Sequence, residues 1–312
     1  MTAGRKTDGR VAILLCTYQG ERYLAEQLDS IVNQTYENWV IYASDDGSQD
    51  LTLEILRAYQ EKFGAERFFV LSGPREGYAK NFISLLKNKE INADYFAFCD
   101  QDDVWAADKL FVAISWLERN SPKVPCLYCG RTALVDESGV RIGSSPLFKY
   151  PPGFKNALVQ SIAGGNTMVF NQSLRAIAGS TPDSEIVSHD WWLYILATAC
   201  GGQVNYDSEP YVSYRQHSEN IIGANSSMLS SLSRLKKTLD GRLAEWNRCN
   251  LKAIESQREN IPRVNLVTLE CFERARISSL FKRYYFFRRS GVYRQTIRGN
   301  IALFVAMLLK KI

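Results

Sequence analysis

Short apolar runs alternate with segments of helical spacing in the first third of this chain, and this alternation restricts the fold more than any other feature. The runs are residues 11–16, 39–43, 68–71 and 95–99. Between the first two runs, Leu24, Leu28 and Ile31 recur at the spacing of one helix face. Strands that alternate with helices through short loops predict an α/β protein with a parallel sheet and helices on both faces. In such sheets, ligands bind beyond the carboxyl ends of the strands.

The composition is that of a globular protein. With 312 residues, of which 46% are hydrophobic and 23% charged, the chain can build a sizeable core. No apolar window of about 18 residues occurs, so no membrane-spanning helix is predicted. The N-terminal segment MTAGRKTDGR is basic without an apolar stretch, which argues against a secretory signal and predicts a cytoplasmic protein. The seven cysteines then indicate reduced core thiols, and the pair Cys126 and Cys129 lacks the second pair that a zinc site needs.

Beyond the alternating region, the pattern becomes mixed and then wholly helical. Strands are predicted at 127–135, 167–170 and 211–214, and helices at 190–199, 228–258, 266–287 and 292–311. We therefore predict a first domain over residues 1–225 and a helical extension over residues 226–312. From Arg274 to the C-terminus there are ten Lys or Arg residues and no Asp or Glu, so the extension is strongly basic.

An acidic cluster, Asp100, Asp102 and Asp103, closes the fourth apolar run. Three like charges within four residues repel one another, and capping a helix would use only one of them. Two carboxylates in a D-x-D arrangement suit a hard divalent ion that keeps positions open for phosphate oxygens. The cluster therefore predicts Mg²⁺ or Mn²⁺ bound with a diphosphate. Asp45 and Asp46 follow the second run in the same way, although Asp45 could simply cap a turn there.

The phosphate-binding glycine motifs are missing from the sequence. There is no G-x-x-x-x-G-K-[ST], and no G-x-G-x-x-G follows the first predicted strand. This excludes a P-loop enzyme and an ordinary dinucleotide dehydrogenase. A diphosphate that is held by a metal ion without a glycine loop points to a nucleotide-sugar.

Two long motifs carry a family resemblance. The segment CTYQGERYLAEQLDSIVNQTYENWVIYASDDGSQD, followed by FCDQDDVWAADKL, resembles the inverting family 2 glycosyltransferases with the type A fold, over roughly residues 10–220. The variants DQDDVW, HDWW and YRQHSENIIG resemble the rhamnosyltransferase branch that builds bacterial surface polysaccharide and lipopolysaccharide. The resemblance implies a Rossmann-like mixed sheet flanked by helices, with the C-terminal helices as an extension.

The resemblance also implies a donor site. Thr17 and Tyr18 would line the nucleotide base, Asp46 would accept from its N3–H, Asp100 would contact the ribose, and Asp102 would ligate Mg²⁺ or Mn²⁺. Asp103 lies just past the motif and would either ligate the ion or have a supporting or helix-capping role. Lys80 lies where the family often has a basic residue near the donor, although an exposed helix face would explain it equally well. Arg215 would contact the diphosphate and His217 would complete the metal shell, unless both merely order a polar loop.

On the acceptor side, the resemblance makes Asp190 the general base. Many relatives have Glu-Asp at this position, whereas this chain has His189 before Asp190, and the role of His189 stays open. Gly165 and Asn166 would form the loop beneath the donor sugar and the acceptor. Of Trp191 and Trp192, one would stack on a sugar face and the other would pack, because neighbours on a helix point in different directions. The expected reaction is a single displacement in which dTDP-L-rhamnose gives an α-rhamnoside on a saccharide or glycolipid acceptor.

Other functions stay open at this point. One is a non-catalytic module that binds sugar nucleotides or polysaccharide, and another is a transferase with a different donor such as a UDP-hexose. A sugar-nucleotide pyrophosphorylase should have a glycine-rich basic loop where this chain has CTYQGER.

The basic tail mixes aromatic residues with cations in FKRYYFFRRSGVYR, residues 281–294. That mixture resembles a helix at a membrane interface and predicts contact with the cytoplasmic face of the membrane. Nucleic-acid binding and simple packing are the alternatives, and we expect no nucleic-acid partner.

Overall fold

The structure is a computed structural model that describes residues 8–182, 186–217 and 241–312. The chain divides into two compact units that interleave along the sequence. The first comprises Met1–Pro146, Ala163–Ser180 and Asn205–Gly223, and the second comprises Leu147–Ile162, Thr181–Val204 and Ala224–Ile312. The domain boundary predicted near residue 225 lies outside the described residues.

The main sheet has seven strands in the order β10-β6-β9-β4-β1-β2-β3. They are β1 (Val11–Thr17), β2 (Trp39–Asp45), β3 (Phe68–Ser72), β4 (Tyr95–Cys99), β6 (Cys126–Gly130), β9 (Val169–Asn171) and β10 (Gln203–Asp207). The four apolar runs of the sequence form β1 to β4, which pair in parallel. The sheet is mixed rather than wholly parallel because β9 runs antiparallel to β4 and β6.

Helices cover both faces of this sheet, as the alternation predicted. They are α1 (Leu24–Val32), α2 (Thr52–Phe63), α3 (Tyr78–Lys87), α4 (Lys109–Leu117) and α6 (Gln172–Gly179). On one face, Ile13 and Leu15 share a buried cluster with Leu28 of α1. On the other face, Phe98 of β4 packs edge-on against Phe82 of α3, with ring centroids 5.1 Å apart.

A second sheet of four strands lies within the first unit, in the order β5-β11-β7-β8. Its strands are β5 (Val104–Trp105), β7 (Ala133–Val135), β8 (Arg141–Ser144) and β11 (Val212–Arg215). The single strand predicted at 127–135 is therefore wrong: β6 belongs to the main sheet and β7 to the small one. The chain changes sheet after Gly130, where the amide of Arg131 donates to the carbonyl of Asp207 at 3.0 Å.

The second unit is helical. Its helices are α5 (Phe154–Ala157), α7 (His189–Ala199), α8 (Arg242–Ile254), α9 (Arg263–Ile277), α10 (Leu280–Ser290) and α11 (Ile297–Leu308). The helix predicted at 266–287 is two helices, because Ser278 and Ser279 adopt extended backbone between α9 and α10. Of the helix predicted at 228–258, residues 228–240 lie outside the described residues, and α8 occupies part of the rest. No helix in the described part of the chain is long and apolar enough to cross a membrane.

Candidate active site

The pairing of β5 with β11 brings the acidic cluster beside a second polar segment. These strands are antiparallel, with Val104 opposite Ser213 and Trp105 opposite Val212. The residues just before β5 therefore lie beside the residues at the end of β11. As a result, Asp102 Oδ2 and His217 Nε2 are 2.7 Å apart, although 115 positions separate them in the sequence. Both side chains are largely shielded from solvent, and the Asp102 side chain keeps 19% of its surface exposed.

Asp103 is the buried member of the cluster. Its side chain accepts a hydrogen bond from Asn166 Nδ2 at 2.6 Å, and its other oxygen lies 3.4 Å from the amide nitrogen of Arg215. Burial, followed by the charges of Asp102 and Asp100, raises the pKa of Asp103 well above its usual value. These contacts are those of a supporting residue, and metal ligation by Asp103 stays a prediction. None of the three carboxylates caps α4, which begins only at Lys109.

Lys109 is a buried cation beneath the cluster that the sequence reasoning missed. Its ammonium lies 3.3 Å from the centre of the Trp105 ring and makes no hydrogen bond within the described residues. Burial lowers the pKa of Lys109 to about 7, while Cys99, Asp103 and Asp100 oppose that shift. The available signal was a lysine at the head of the otherwise apolar segment KLFVAISWL.

Arg215 joins α1, the loop of the acidic cluster and the turn after β7. Its Nη2 lies 2.5 Å from Glu26 Oε2 on α1, its Nε donates to the carbonyl of Asp102 at 3.2 Å, and its Nη1 donates to the carbonyl of Glu137 at 2.9 Å. The side chain is almost wholly buried, and its guanidinium also covers the ring of Tyr23. These contacts hold the loop that carries Asp102, while the expected contact with a diphosphate stays a prediction.

The ends of β1 and β2 are joined by polar contacts. The Thr17 hydroxyl donates to Asp45 at 3.0 Å, and Asp45 also accepts from the amide of Ser48 at 2.8 Å, so Asp45 caps the turn. Tyr18, with more than half of its surface exposed, exchanges two backbone hydrogen bonds with the side-chain amide of Gln101, at 2.8 and 2.9 Å. This pairing connects the loop after β1 to the acidic cluster after β4.

Asp46 braces the loop after β3. Its two carboxylate oxygens accept from the amides of Arg75 at 2.6 Å and Gly77 at 2.8 Å. Both of those residues have positive φ angles, of 61° and 90°, so the carboxylate stabilises a strained turn. The base contact assigned to Asp46 stays a prediction. Lys80, in the first turn of α3, is exposed and pairs with Glu76, as an exposed helix face would explain.

The residues expected on the acceptor side fall in both units. Asn166, in the single turn Gly165–Thr167 of the first unit, reaches the acidic cluster through Asp103. Asp190 lies in the first turn of α7 in the second unit, where its Oδ1 accepts from the amide of Trp191 at 2.6 Å.

The two tryptophans of α7 are buried. Trp192 packs inside the second unit with 1% of its surface exposed, and its contact with a sugar stays a prediction. Trp191 donates through its Nε1 to the carbonyl of Ala157 at 2.7 Å and meets Trp246 edge-on. Its contact with a sugar stays a prediction. His189, which precedes Asp190, is buried, and burial lowers its pKa to about 4.

The cluster offers a divalent cation few protein ligands. Among residues 8–182, 186–217 and 241–312, no group of three His, Cys, Asp or Glu side chains is placed to hold a metal ion. Asp102 and His217 supply one carboxylate oxygen and one imidazole nitrogen. Mg²⁺ is commonly bound by one or two carboxylates together with substrate phosphates and water, so the Asp102 carboxylate fits an ion that arrives with a diphosphate. The metal contact assigned to His217 stays a prediction.

Comparison with known proteins supports the family resemblance that the sequence motifs indicated. Residues 12–177 match the family model described as glycosyl transferase family 2. A dTDP-rhamnosyl transferase of Shigella flexneri, RfbG, is 33% identical over 235 residues, which cover 71% of this chain and 78% of that protein.

Two further likenesses are more limited. WfgD, a β-1,3-glucosyltransferase of Escherichia coli, is 31% identical to this chain over 116 residues, which cover 36% of this chain and 43% of that protein. Its name gives UDP-Glc as the donor and a GlcNAc-diphosphoundecaprenol as the acceptor. The crystal structure of S. aureus TarS 1-349 with UDP-GlcNAc superposes with a TM-score of 0.55 at 15% identity, covering 90% of this chain and 89% of that one. The likeness to TarS confirms the glycosyltransferase type A fold.

Proposed function

Because this chain belongs to glycosyl transferase family 2, we propose that it transfers L-rhamnose from dTDP-L-rhamnose onto a hydroxyl group of a lipopolysaccharide or polysaccharide acceptor, with inversion at the anomeric carbon. The observation that carries the proposal is the Asp102–His217 pair at the carboxyl end of the sheet, where a sugar donor's diphosphate would bind. The choice of donor is supported by the 33% identity to a dTDP-rhamnosyl transferase over most of both chains.

Donor binding is assigned to the first unit. Asp102 and His217 would hold Mg²⁺ or Mn²⁺ together with the diphosphate oxygens, and the ion would neutralise the charge that develops on the leaving nucleoside diphosphate. The network of Arg215, Asp103 and Asn166 holds the Asp102 loop in place for this. Tyr18, which is exposed and bonded to Gln101, would cover the base.

Chemistry on the acceptor is assigned to Asp190. The acceptor hydroxyl attacks C1 of rhamnose from the face opposite the nucleotide. The bond between C1 and the diphosphate oxygen breaks, and the hydroxyl proton passes to Asp190. A β-linked donor then gives an α-rhamnoside. Asp190 is a carboxylate in the first turn of α7, which supports its assignment as the proton acceptor.

The test is a transfer assay in which dTDP-L-rhamnose, dTDP-glucose and UDP-glucose are offered as separate donors. Each donor is assayed with Mn²⁺ and with a chelator. The acceptors are a diphosphate-linked GlcNAc lipid and isolated polysaccharide. We expect an α-linked rhamnoside, identified by NMR, only with dTDP-L-rhamnose and only with the metal present. Product from UDP-glucose instead, the donor named for the Escherichia coli relative, would replace the rhamnose assignment. Donor that binds but is never consumed would make the protein a binding module.

The matched variant is Asp190→Asn. It should lower kcat by about 10²-fold or more while leaving donor affinity nearly unchanged, because general-base catalysis is worth that much and the residue does not hold the nucleotide. Unchanged turnover would remove Asp190 from the mechanism without touching the donor assignment.

A further inference from the structure

The last two helices of the second unit expose large apolar side chains that meet across the two helices. We name this surface the α10/α11 face and define it by Phe281, Tyr284, Ile301, Phe304 and Leu308. All five are exposed large hydrophobic residues, with Phe281 exposed to 88% and Ile301 to 60%. Ile301, Phe304 and Leu308 recur at helical spacing on one side of α11. The Tyr284 and Phe304 rings touch edge-on, with centroids 6.3 Å apart, so the two helices contribute to one surface.

The face is held rigidly from beneath. Arg283 is buried, and it donates to the carbonyls of Met307 and Leu308 at 3.3 and 3.1 Å and to that of Ser278 at 2.8 Å. These bonds satisfy carbonyl groups at the C-terminal end of α11 and fix α10 against it. The apolar side chains on the outer side are therefore displayed by a fixed pair of helices.

Exposed cations lie on and beside the same two helices. Lys282 and Arg288 on α10, and Arg298 and Lys310 in and beside α11, are all exposed. Residues 274–312 contain no Asp or Glu at all. A surface that combines exposed large apolar residues with cations is the pattern of an interfacial membrane helix, in which the apolar side enters the headgroup region and the cations attract anionic lipid.

We propose that the α10/α11 face binds an anionic phospholipid membrane surface, lying in its plane without crossing it. Charge complementarity selects this occupant. A second copy of the chain would bring the same cations against themselves, and like charges across an interface are costly. Single-stranded nucleic acid would use the cations and the aromatic rings, but Ile301 and Leu308 offer nothing to stack a base on.

The test measures binding of the full chain to phosphatidylcholine vesicles with and without phosphatidylglycerol, by co-sedimentation. We expect binding to the anionic vesicles that weakens as salt is raised. The double variant Phe281→Ser/Ile301→Ser removes apolar contact, and Lys282→Gln/Arg288→Gln removes charge. Each should weaken binding by about tenfold or more, and the second should also flatten the salt dependence.

The matched control is Phe111→Ser, which removes an exposed aromatic ring from α4 in the first unit and should leave vesicle binding unchanged. All variants should keep the wild-type circular dichroism spectrum, because the substituted side chains are exposed. Equal binding by wild type and the Phe281→Ser/Ile301→Ser variant would overturn the proposal, as would no vesicle binding by wild type.

Two further outcomes would also overturn it. One is concentration-dependent self-association in sedimentation velocity that the face variants abolish, and the other is tighter binding to a labelled single-stranded RNA than to anionic vesicles. None of these measurements needs the sugar donor or the acceptor. The membrane proposal can therefore fail while the transferase proposal stands, and the transferase proposal can fail while the membrane proposal stands.

Discussion

The three carboxylates that follow β4 occupy different environments, and this difference decides what each can do. Asp102 is partly exposed and faces His217. Asp103 is buried against Asn166, and burial raises its pKa well above the usual range. A partly exposed carboxylate can bind a cation, whereas a buried carboxyl gains stability from being neutral. Neighbouring positions in one motif thus acquire separate roles from their surroundings.

Substitution of Asp102 and Asp103 by Asn should separate those roles. Asp102→Asn should lower turnover by about 10²-fold or more and abolish the rise in Tm that dTDP-L-rhamnose produces in Mn²⁺, because an amide is a poor ligand for a hard cation. Asp103→Asn should keep the contact with Asn166 and change the unfolding free energy by less than about 1 kcal/mol.

Asp103→Leu provides the stability control for this pair. It leaves the buried Asn166 amide without its acceptor and should cost about 1–3 kcal/mol. Urea unfolding and differential scanning fluorimetry measure these effects. A retained metal-dependent Tm shift in Asp102→Asn would contradict the ligand assignment.

His189 gives stability a dependence on pH. Burial lowers its pKa to about 4, from an ordinary value of 6.5. Between these two pH values the unfolded chain binds a proton that the folded protein does not, so the free energy of unfolding falls as pH drops through this window. The loss is about 1.4 kcal/mol for each unit of pKa difference.

The comparison is between wild type and His189→Phe, unfolded in urea at pH 7 and at pH 5. Wild type should lose more stability than the variant on acidification, because the variant has no group to titrate at this position. Equal losses in the two proteins would show that His189 is not responsible.

At the scale of secondary-structure elements, the site depends on the short pairing of β5 with β11. Two residue pairs in the register place Asp102 beside His217. Arg215 reinforces this pairing by joining α1, the acidic loop and the turn after β7. A two-residue strand makes few backbone bonds, so this one buried side chain carries much of the positional order.

Arg215→Met should therefore destabilise the protein by about 2–3 kcal/mol, because two backbone carbonyls and the Glu26 carboxylate lose their donors. It should also lower turnover by loosening Asp102. Arg22→Ala is the control: Arg22 pairs with Glu137 on the surface, and the loss of such a pair should change stability by less than about 0.5 kcal/mol. Urea unfolding measures the loss of stability in both variants. Equal losses would show that the buried contacts of Arg215 contribute no more to stability than an exposed ion pair.

At the scale of the whole molecule, the chain builds two compact units with different surfaces. The first contains the sheets and the carboxylate cluster, and the second ends in helices whose last 39 residues carry cations and no acid. If both proposals hold, one unit binds an anionic sugar nucleotide through a cation, and the other binds anionic lipid through Lys and Arg. The membrane experiment above is the prediction that belongs to this scale.

The sequence by itself determined the elements with strong local signals. Continuous apolar runs specified β1 to β4, and helical spacing specified α1, because strand and helix periodicity are local properties. The motifs around Asp46 and Asp102 were enough to identify the family, which the family model confirms.

Only the tertiary structure decided which distant residues meet. The contact of Asp102 with His217 depends on β11 pairing with β5. The change of sheet after Gly130 is accompanied by a hydrogen bond from Arg131 to Asp207, which is far away in the sequence. The burial of Lys109 under Trp105 and the bracing role of Arg215 arise in the same way. Periodicity records which face of its own element a residue occupies, whereas burial and partners depend on elements that lie far away in the sequence.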